Sequence, residues 1–346
     1  MTDTMTDTML PQHLNIVALQ TKLTDLPGIT LPAPYTFTLT KYVTTPVDQV
    51  GERLHDADIA IITTVPIRAD TLDPAVTPKL KLICAVASGT DTIDLAACRA
   101  RGIRVLNNPA CNIDAVAEHA LALYFSARRS VVPSMMALVN NEWPKRGTLI
   151  KTAEHANGTL PARRCAAETA VVVGYGGVGK RVVELLRMLG MNVVVAGRKG
   201  QSTADLPAGR VAFAEAIKTA TALFLCCPRN AETLNLLSTA EFASMLPDSL
   251  LINVSRGGIV DEVALLVALQ TNQIAGAGVD VFAQEPASSE TSPLLAAEVV
   301  SAGLNLVMTP HTAWVSAQTT ANNARILLEN LHSFIDGKME EERIRA

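Results

Sequence analysis

Short apolar runs, many of them rich in valine and isoleucine, alternate with polar turns and amphipathic stretches along most of the chain. Runs of this length, bounded by turn residues, are typical of strands buried on both faces of a parallel sheet. In the first third of the chain they predict strands at residues 15–19, 59–63, 82–86 and 104–106. The turn Asn107-Asn108-Pro109 ends this first α/β unit.

A long apolar helix follows and predicts the start of a second unit. Residues 115–129 are apolar nearly all round, with Asp114 before them and Arg128 and Arg129 at their end, which suits the helix dipole. Such a helix is buried on several sides, and a second subunit is one candidate for the covering surface. We therefore expect a homodimer formed through this half of the chain.

Beyond this helix, a polar stretch at residues 143–165 predicts a long surface connection without regular structure. A strand at residues 170–173, a helix at 178–189 and a strand at 192–196 come next. Further strands are predicted at residues 222–227, 250–254, 277–281 and 306–308. This alternation is typical of a doubly wound sheet of parallel strands.

The last predicted helix, residues 316–335, follows a complete sheet and is expected to pack back onto the first unit. The predicted fold class is α/β, with two doubly wound parallel-sheet domains and a cleft between them. The first domain comprises residues 1–112, completed by residues 309–346, and the second comprises residues 113–308. A chain of 346 residues is long enough for two such cores.

Composition limits the partners and the compartment. The net charge is −4 and the mean hydropathy +0.25, without a basic block or an apolar run of membrane-spanning length, so neither nucleic acid nor a membrane is an expected partner. The six cysteines show no CxxC pair and no metal-ligand spacing, which indicates a reduced protein without a metal. The first ten residues, MTDTMTDTML, do not match a signal peptide. We expect them to be disordered and the protein to be cytoplasmic.

Residues 174–179, GYGGVG, form a GxGxxG pattern directly after a predicted strand and at the start of a predicted helix. Gly174 permits the tight turn, Gly176 lets the backbone approach a pyrophosphate, and Gly179 lets helix and strand pack closely. Free N–H groups at the helix start bind phosphate. The pattern predicts that residues 113–308 are a Rossmann-like dinucleotide-binding domain, with Tyr175, Gly177 and Val178 also contacting the cofactor. Residues 1–112 would then belong to the substrate domain.

The end of the second strand of this domain bears on the choice of dinucleotide. An NAD-binding unit usually places Asp or Glu about 20 residues after the glycines, where it binds the ribose hydroxyls. Here the strand ends in Ala196-Gly197-Arg198-Lys199, and no carboxylate appears before Asp205. A guanidinium binds a ribose 2′-phosphate in a bidentate pair. NADP(H) is therefore the expected cofactor, and NAD(H) is the alternative if the two cations form only a solvated turn.

Three further segments follow in order: INVSRGG at residues 252–258, GVDVFAQEP at 278–286 and TPHTAW at 309–314. The first half adds VASGTD at residues 86–91 and VAEH at 116–119. In these motifs the chain resembles the D-isomer-specific 2-hydroxyacid dehydrogenases, over most of its length. Trp314 resembles the hydroxypyruvate and glyoxylate reductase (glycerate dehydrogenase) branch of that family.

This resemblance implies reduction of a 2-keto acid. Negative charge develops on the carbonyl oxygen as hydride arrives, so His311 is the expected proton donor, oriented by Glu285. Arg256 is expected to bind the substrate carboxylate and carbonyl, with help from the backbone of the Ser88-Gly89 turn. Trp314 is expected to favour a short substrate side chain. The other expected cofactor contacts are Cys227, Pro228, Val254, Ser255, His311 itself and Asp280, which would face the nicotinamide.

Two alternatives remain open at this point. A reductase of branched or aromatic 2-keto acids would carry the same motifs, because the pocket walls from the first domain are not known. An NAD(P)-sensing binding protein of the co-repressor type shares the fold and these residues, although no partner-binding tail or basic region is present. Formate dehydrogenases lack the His–Glu pair, so Glu285 argues against that class.

Two further features keep a structural interpretation. His119 is interpreted as a packed or hinge-contact residue. The role of residues 147–164 stays open, and a lid is one interpretation.

Overall fold

The computed structural model describes residues 10–153, 161–301 and 303–337, and these residues form two compact units. One unit contains residues up to Asn112 and from Ser316 onward, and the other runs from Ile113 to Val315. Each unit is built on a parallel sheet with helices, so the expected fold class is confirmed. The first nine residues lie outside the described part of the chain, and with them nearly all of the segment expected to be disordered.

The second unit ends later than the expected boundary at residue 309. Backbone hydrogen bonds hold the intervening residues to the second unit: Thr309 N–H donates to Val279 O at 3.0 Å, and His311 N–H donates to Asp280 O at 2.7 Å. These bonds extend the pairing of a strand of the second sheet. The chain therefore leaves that unit only after Val315.

Five parallel strands form the sheet of the first unit in the described residues, in the order β2-β1-β3-β4-β5. The strand β2 has no counterpart among the predicted strands. Its residues are exposed or half-buried because it lies at the edge of the sheet, so it carries no continuous apolar run. The elements are β1 (His13–Ala18), β2 (Thr36–Lys41), α1 (Val50–Leu54), β3 (Ile59–Ile62), β4 (Leu82–Ala85), α2 (Leu95–Ala100) and β5 (Arg104–Asn107).

The C-terminal helix α11 (Ala317–Ile335) packs onto this first sheet, as expected from the sequence. Its apolar face, including Leu327 and Leu331, is buried against residues of β1, β3 and β4. Three buried asparagines add directional contacts, since Asn330 Nδ2 donates to Asn107 O at 3.0 Å and to Asn108 Oδ1 at 3.3 Å. Buried amides require such partners, so these contacts fix the helix against the end of β5.

Seven parallel strands form the sheet of the second unit in the described residues, in the order β12-β11-β10-β9-β6-β7-β8. All six strands predicted from the sequence are present. The additional strand β8 comprises two residues at the sheet edge, too few to give a pattern. The strands are β6 (Thr169–Val173), β7 (Asn192–Ala196), β8 (Arg210–Val211), β9 (Ala222–Leu225), β10 (Leu250–Asn253), β11 (Gly276–Val279) and β12 (Leu306–Met308).

Helices cover both faces of the second sheet and give it two buried cores. The predicted apolar helix is α3 (Ile113–Arg128), which packs on α6 and on β10 and β11. Among the described residues, none of the helices is long and apolar enough to traverse a lipid bilayer. The helices are α3, α4 (Val131–Val139), α5 (Glu142–Arg146), α6 (Gly177–Met188), α7 (Phe213–Thr219), α8 (Thr239–Ser244), α9 (Glu262–Gln270) and α10 (Ala297–Ser301).

The prediction of an irregular connection at residues 143–165 is wrong for part of that stretch. Helix α5 and 3₁₀ turns at Ile150–Ala153 and Cys165–Ala167 lie within it. Proline is tolerated in the first turn of a helix, where Pro144 stands, and the Lys145–Glu142 ion pair at 2.9 Å adds support. Elements this short show no regular spacing of apolar residues that would predict a helix. Residues 154–160, the centre of the stretch interpreted as a lid, lie outside the described residues.

Arg128, at the end of α3, is buried rather than solvated at the helix terminus. Its guanidinium Nε lies 2.7 Å from Glu168 Oε1, and its Nη2 donates to Thr221 O at 2.7 Å. The Tyr124 hydroxyl donates to the same Glu168 carboxylate at 3.0 Å. This buried network ties α3 to the amino-terminal ends of β6 and β9. The opposite, carboxyl-terminal ends of the strands carry the predicted site residues.

Candidate active site

The predicted site residues of the second unit all lie beyond the carboxyl ends of its strands. The order of strands reverses between β6 and β9, which are neighbours in the sheet although β7 and β8 separate them in the chain. Ligands of doubly wound sheets bind in the crevice at such a reversal. The glycine loop follows β6 and Cys227 and Pro228 follow β9, so both flank this position.

The glycine loop has the geometry that a bound dinucleotide needs. Gly174 has φ +93°, and a Cβ there would lie 2.6 Å from the backbone of Cys226 and Cys227. A Cβ on Gly179 would overlap the carbonyl oxygen of Gly174, which keeps α6 close to β6. Gly176, the N-cap of α6, has open space around its missing side chain. The free N–H groups of the first turn of α6 can therefore receive a phosphate, and the loop fits a dinucleotide.

The cations predicted at the end of β7 differ in their contacts. The Arg198 side chain is 78% exposed, and its ion pair with Glu232 is long, at 3.8 Å. Lys199 Nζ lies 2.8 Å from Glu241 Oε1 and donates to Leu236 O at 3.0 Å. Gly197 before them packs against the Leu206 side chain, which a Cβ at this position would overlap. Arg198 is thus available to an anion, whereas Lys199 is already bound to the protein.

His311 and Glu285 form a hydrogen-bonded pair. Nδ1 of His311 lies 2.5 Å from Glu285 Oε2, and the backbone N–H of Phe282 donates to the other carboxylate oxygen at 2.9 Å. Burial alone would raise the pKa of Glu285, but these two hydrogen bonds and the nearby charges of His311 and Arg256 bring that pKa below its ordinary value of 4.5. The carboxylate is therefore charged at neutral pH and fixes the orientation of the imidazole.

Asp280 holds the turn that carries His311. It is 1% exposed, and its Oδ1 accepts hydrogen bonds from the Thr309 hydroxyl at 2.6 Å and from Thr312 N–H at 2.9 Å. Its Oδ2 accepts Ala313 N–H at 3.0 Å. His311 itself has φ +53°, a conformation that non-glycine residues seldom adopt without such support. The carboxylate predicted to face the nicotinamide thus also shapes the backbone around the histidine.

Trp314 contacts the same turn. Its indole Nε1–H donates to the carbonyl oxygen of His311 at 2.9 Å, and its ring packs at the margin of the second unit's core. The indole is therefore held in one orientation close to His311. Sequence reasoning placed Trp314 near the substrate and did not foresee this hydrogen bond.

Arg256 lies in a tight turn after β10. Asn253 Oδ1 accepts hydrogen bonds from the N–H and the hydroxyl of Ser255, and Asn253 Nδ2 donates to Arg256 O at 3.3 Å. A Cβ on Gly257 would overlap the carbonyl of Phe282, so the turn lies directly against the segment that leads to Glu285. The half-buried Arg256 guanidinium donates to Ser255 O at 2.8 Å. Val254 and Ser255 are buried beside it.

The cysteines that follow β9 are not reactive thiols. Burial raises the pKa of Cys226 to about 12 and that of Cys227 to about 11. A thiolate is the reactive form of cysteine, so neither residue is a nucleophile at neutral pH. Cys227 is part of a core cluster, and Pro228 beside it is exposed.

Ser88 and Gly89 belong to the first unit and follow the carboxyl end of β4. The Ser88 hydroxyl donates to Asn108 O and to Asn112 Oδ1, each at 3.3 Å, and Asn107 Nδ2 donates to Ser88 O at 2.6 Å. These bonds fix the turn to the end of β5. Both residues are half-buried, so part of the turn remains open to a ligand.

Sequence reasoning missed the contact between His119 and the turn that carries His311. His119 Nε2 lies 2.9 Å from the Thr309 hydroxyl oxygen and 3.6 Å from Asp280 Oδ1. Because the Thr309 hydroxyl donates to Asp280, the His119 ring nitrogen is the donor in this contact. The TPH and VAEH motifs contain both residues, but sequence alone does not show that α3 meets β12.

A sequence profile described as "D-isomer specific 2-hydroxyacid dehydrogenase, NAD binding domain" matches residues 121–313. A glycerate dehydrogenase of Methylorubrum extorquens is 35% identical over 291 residues, which covers 84% of this chain and 87% of that protein. A glyoxylate reductase of Pyrococcus furiosus is 30% identical over 296 residues and covers 85% and 84% of the two chains.

Solved structures show the same architecture. An acyclic imino acid reductase in complex with NADPH and D-Arg has a TM-score of 0.73 at 26% identity, with 94% of this chain and 98% of that chain covered. A glyoxylate reductase of Paecilomyes thermophila has a TM-score of 0.74 at 21% identity, covering 95% and 97%. These structures share the fold of this chain, and the profile and the two sequence matches establish that the chain belongs to the D-isomer-specific 2-hydroxyacid dehydrogenases, oxidoreductases with a nicotinamide dinucleotide cofactor, and to their glyoxylate and hydroxypyruvate reductase branch.

Proposed function

We propose that the protein reduces a small 2-keto acid of the hydroxypyruvate or glyoxylate class to the D-2-hydroxy acid, with NADPH as the hydride source. The observation that carries this proposal is the hydrogen bond between His311 and Glu285, formed beside the charge of Arg256. The three residues together provide a proton, its orientation and a binding group for an anionic carbonyl compound.

His311 is the proton donor in this proposal. When bound, the reduced nicotinamide supplies the hydride, and the chain has to supply the proton. The bond from Nδ1 to Glu285 leaves Nε2 as the ring nitrogen that carries the proton to the substrate oxygen. The charged carboxylate stabilises the imidazolium before transfer and keeps the ring in one tautomer afterwards.

Arg256 binds the carboxylate and the carbonyl oxygen of the keto acid. A planar guanidinium forms two parallel hydrogen bonds and stays charged as negative charge grows on the oxygen. The turn defined by Asn253 and Gly257 holds its backbone close to the segment that carries Glu285. In this proposal the first unit is the substrate domain, and backbone N–H groups of its Ser88-Gly89 turn also bind the substrate carboxylate. Trp314 restricts the space for the side chain of the substrate.

Substrate size is tested by comparing kcat/KM for hydroxypyruvate and glyoxylate with kcat/KM for phenylpyruvate and a branched 2-keto acid. The proposal predicts a preference for the short acids of at least about tenfold, which corresponds to roughly 1.4 kcal/mol of transition-state discrimination. A higher kcat/KM for phenylpyruvate or for the branched acid would contradict this proposal and would indicate that the substrate is a bulkier 2-keto acid.

Arg198 supports the preference for NADPH, because its exposed guanidinium stands at the end of β7 and its ion pair with the exposed Glu232 is long, at 3.8 Å. Replacing Arg198 by Ala is expected to raise KM for NADPH about tenfold and to leave KM for NADH nearly unchanged, since one charge-assisted phosphate contact is lost. Lys199→Ala should have the smaller effect, because that side chain is bound to Glu241. A wild-type enzyme that turns over faster with NADH at matched concentrations would contradict the proposed preference.

Self-association is supported by an exposed apolar surface on the second unit. Several large apolar side chains of α4 and the adjoining segments are between 49% and 69% exposed, namely Val131, Met135, Leu138, Val139, Trp143 and Ile150. Large apolar side chains exposed together on neighbouring elements often mark an interface. We infer a homodimer through this unit, and light scattering should give twice the mass of 36.7 kDa.

We also propose a cytoplasmic location. Unpaired thiols at all six cysteines are consistent with it.

A further inference from the structure

Arg210, the first residue of β8, is half-buried, yet its guanidinium has no hydrogen bond or ion pair with any of the described residues. Every other half-buried or buried arginine of the described residues uses its guanidinium in a hydrogen bond or an ion pair. Those five are Arg53, Arg101, Arg128, Arg181 and Arg256. The Arg210 guanidinium makes a cation–π contact instead, 5.7 Å from the centre of the Tyr175 ring. Because withdrawing a cation from water without a counterion is costly, this arrangement indicates a place for an anion.

A second cation approaches the same ring. Lys180 Nζ lies 5.9 Å from the centre of Tyr175, and no carboxylate of the described residues pairs with it. Tyr175 is the residue between the first two glycines of the fingerprint loop. Both cations lie within 6 Å of the centre of one ring, so an anion bound beside that ring would be attracted by both charges. A phosphate monoester carries nearly two negative charges at pH 7 and accepts hydrogen bonds from guanidinium and ammonium groups.

The position of this cluster in the sheet identifies the phosphate. β8 pairs with β7 in parallel register, so that Arg210 is opposite Val195 and Val211 is opposite Ala196. Gly197 N–H also donates to Val211 O at 2.7 Å, which keeps β8 beside the carboxyl end of β7, close to Arg198 in the chain. The ribose of the adenosine lies at this strand end in doubly wound dinucleotide sites, whereas the pyrophosphate lies at the start of the helix after the glycines.

We infer that Arg210, supported by Tyr175 and Lys180, forms a second half of the binding site for the adenosine 2′-phosphate of NADPH. Arg198 contacts the phosphate from the end of β7, and Arg210 contacts it from the edge strand. The inference rests on the proposed NADPH preference. It adds a residue that the fingerprint and the turn after β7 do not contain.

The test measures dissociation constants for NADPH and NADH by calorimetry, without keto acid, for the wild-type protein and for Arg210→Ala. We expect Kd for NADPH to rise about tenfold and Kd for NADH to change less than about twofold, as loss of one charge-assisted phosphate contact implies. Lys180→Ala should show a smaller loss of the same selectivity. Arg210→Lys should retain part of the binding, because it keeps the charge but loses the planar fork.

Arg187→Ala is the matched control, since Arg187 is an exposed arginine in the last turn of the same helix α6 and should not affect either dinucleotide. An equal loss for NADPH and NADH would assign Arg210 to the pyrophosphate and overturn the inference. A lower melting temperature with unchanged selectivity would also overturn it, because Arg210 would then only close the sheet edge. If Arg198→Ala alters selectivity and Arg210→Ala does not, the proposed NADPH preference stands and this inference fails.

Discussion

Replacing His311 by Gln is expected to lower kcat for 2-keto acid reduction by about 10²- to 10⁴-fold, the usual contribution of a positioned general acid. Glutamine keeps a polar side chain of similar reach but cannot deliver a proton at neutral pH. The backbone contacts of His311 to Asp280 and Trp314 do not depend on its side chain, so the turn should persist. Dissociation constants for the dinucleotide should therefore stay close to those of the wild-type enzyme.

Glu285→Gln tests the pair from its other side. The amide removes the counterion of the imidazolium, so reduction should be slower. In the native enzyme the pKa of Glu285 lies below 4.5, so the carboxylate keeps its charge, and its contribution to stability, until the pH falls through that lowered value. His55→Gln is the matched control, because His55 is 56% exposed and lies in the first unit. Equal kcat for His311→Gln and wild type would contradict the assignment.

Replacing Arg256 by Gln is expected to lower kcat/KM for hydroxypyruvate by about 10²- to 10³-fold, as loss of a preorganised donor to the developing oxyanion usually does. Both parameters should change, because the guanidinium contacts the carboxylate in the ground state and the oxygen in the transition state. Arg256→Lys should recover only part of the loss, since an ammonium keeps the charge without the planar fork.

Arg104→Gln is the control for this experiment, because Arg104 is an exposed arginine at the start of β5. A rise in KM with unchanged kcat would show that Arg256 contributes to substrate binding and not to stabilisation of the transition state. Unchanged kinetics would remove it from the site altogether.

The sequence predicted elements best where burial is continuous. All strands of the second sheet except β8 were predicted, since each is an apolar run, and most of these runs are buried over nearly their whole length. β2 and β8 escaped because the residues of both strands are exposed or half-buried and carry no such run, and β8 has only two residues. Helix α5 escaped because a single turn that begins Glu142-Trp143-Pro144 shows no helical period. Sequence patterns therefore fail to predict elements that are too exposed or too short to show a regular spacing of apolar residues.

The predicted site residues reflect a similar limit. Arg256, Glu285 and His311 belong to motifs whose chemistry can be read from residue type and order. The supporting contacts join residues far apart in sequence, such as His119 with Thr309 and Tyr175 with Arg210. No local spacing encodes these pairs, because they depend on the crossing of α3 over β12 and on the pairing of β8 with β7. Only the structure showed that Lys199 is bound to Glu241 while Arg198 is exposed.

The most direct test of the central claim is the rate at which the purified protein oxidises NADPH in the presence of hydroxypyruvate or glyoxylate. We expect steady turnover with both acids, formation of the D-hydroxy acid, and loss of that turnover in His311→Gln while NADPH binding is retained. Dinucleotide binding without turnover, for these acids and also for phenylpyruvate and branched 2-keto acids, would contradict it and indicate a cofactor-sensing protein instead.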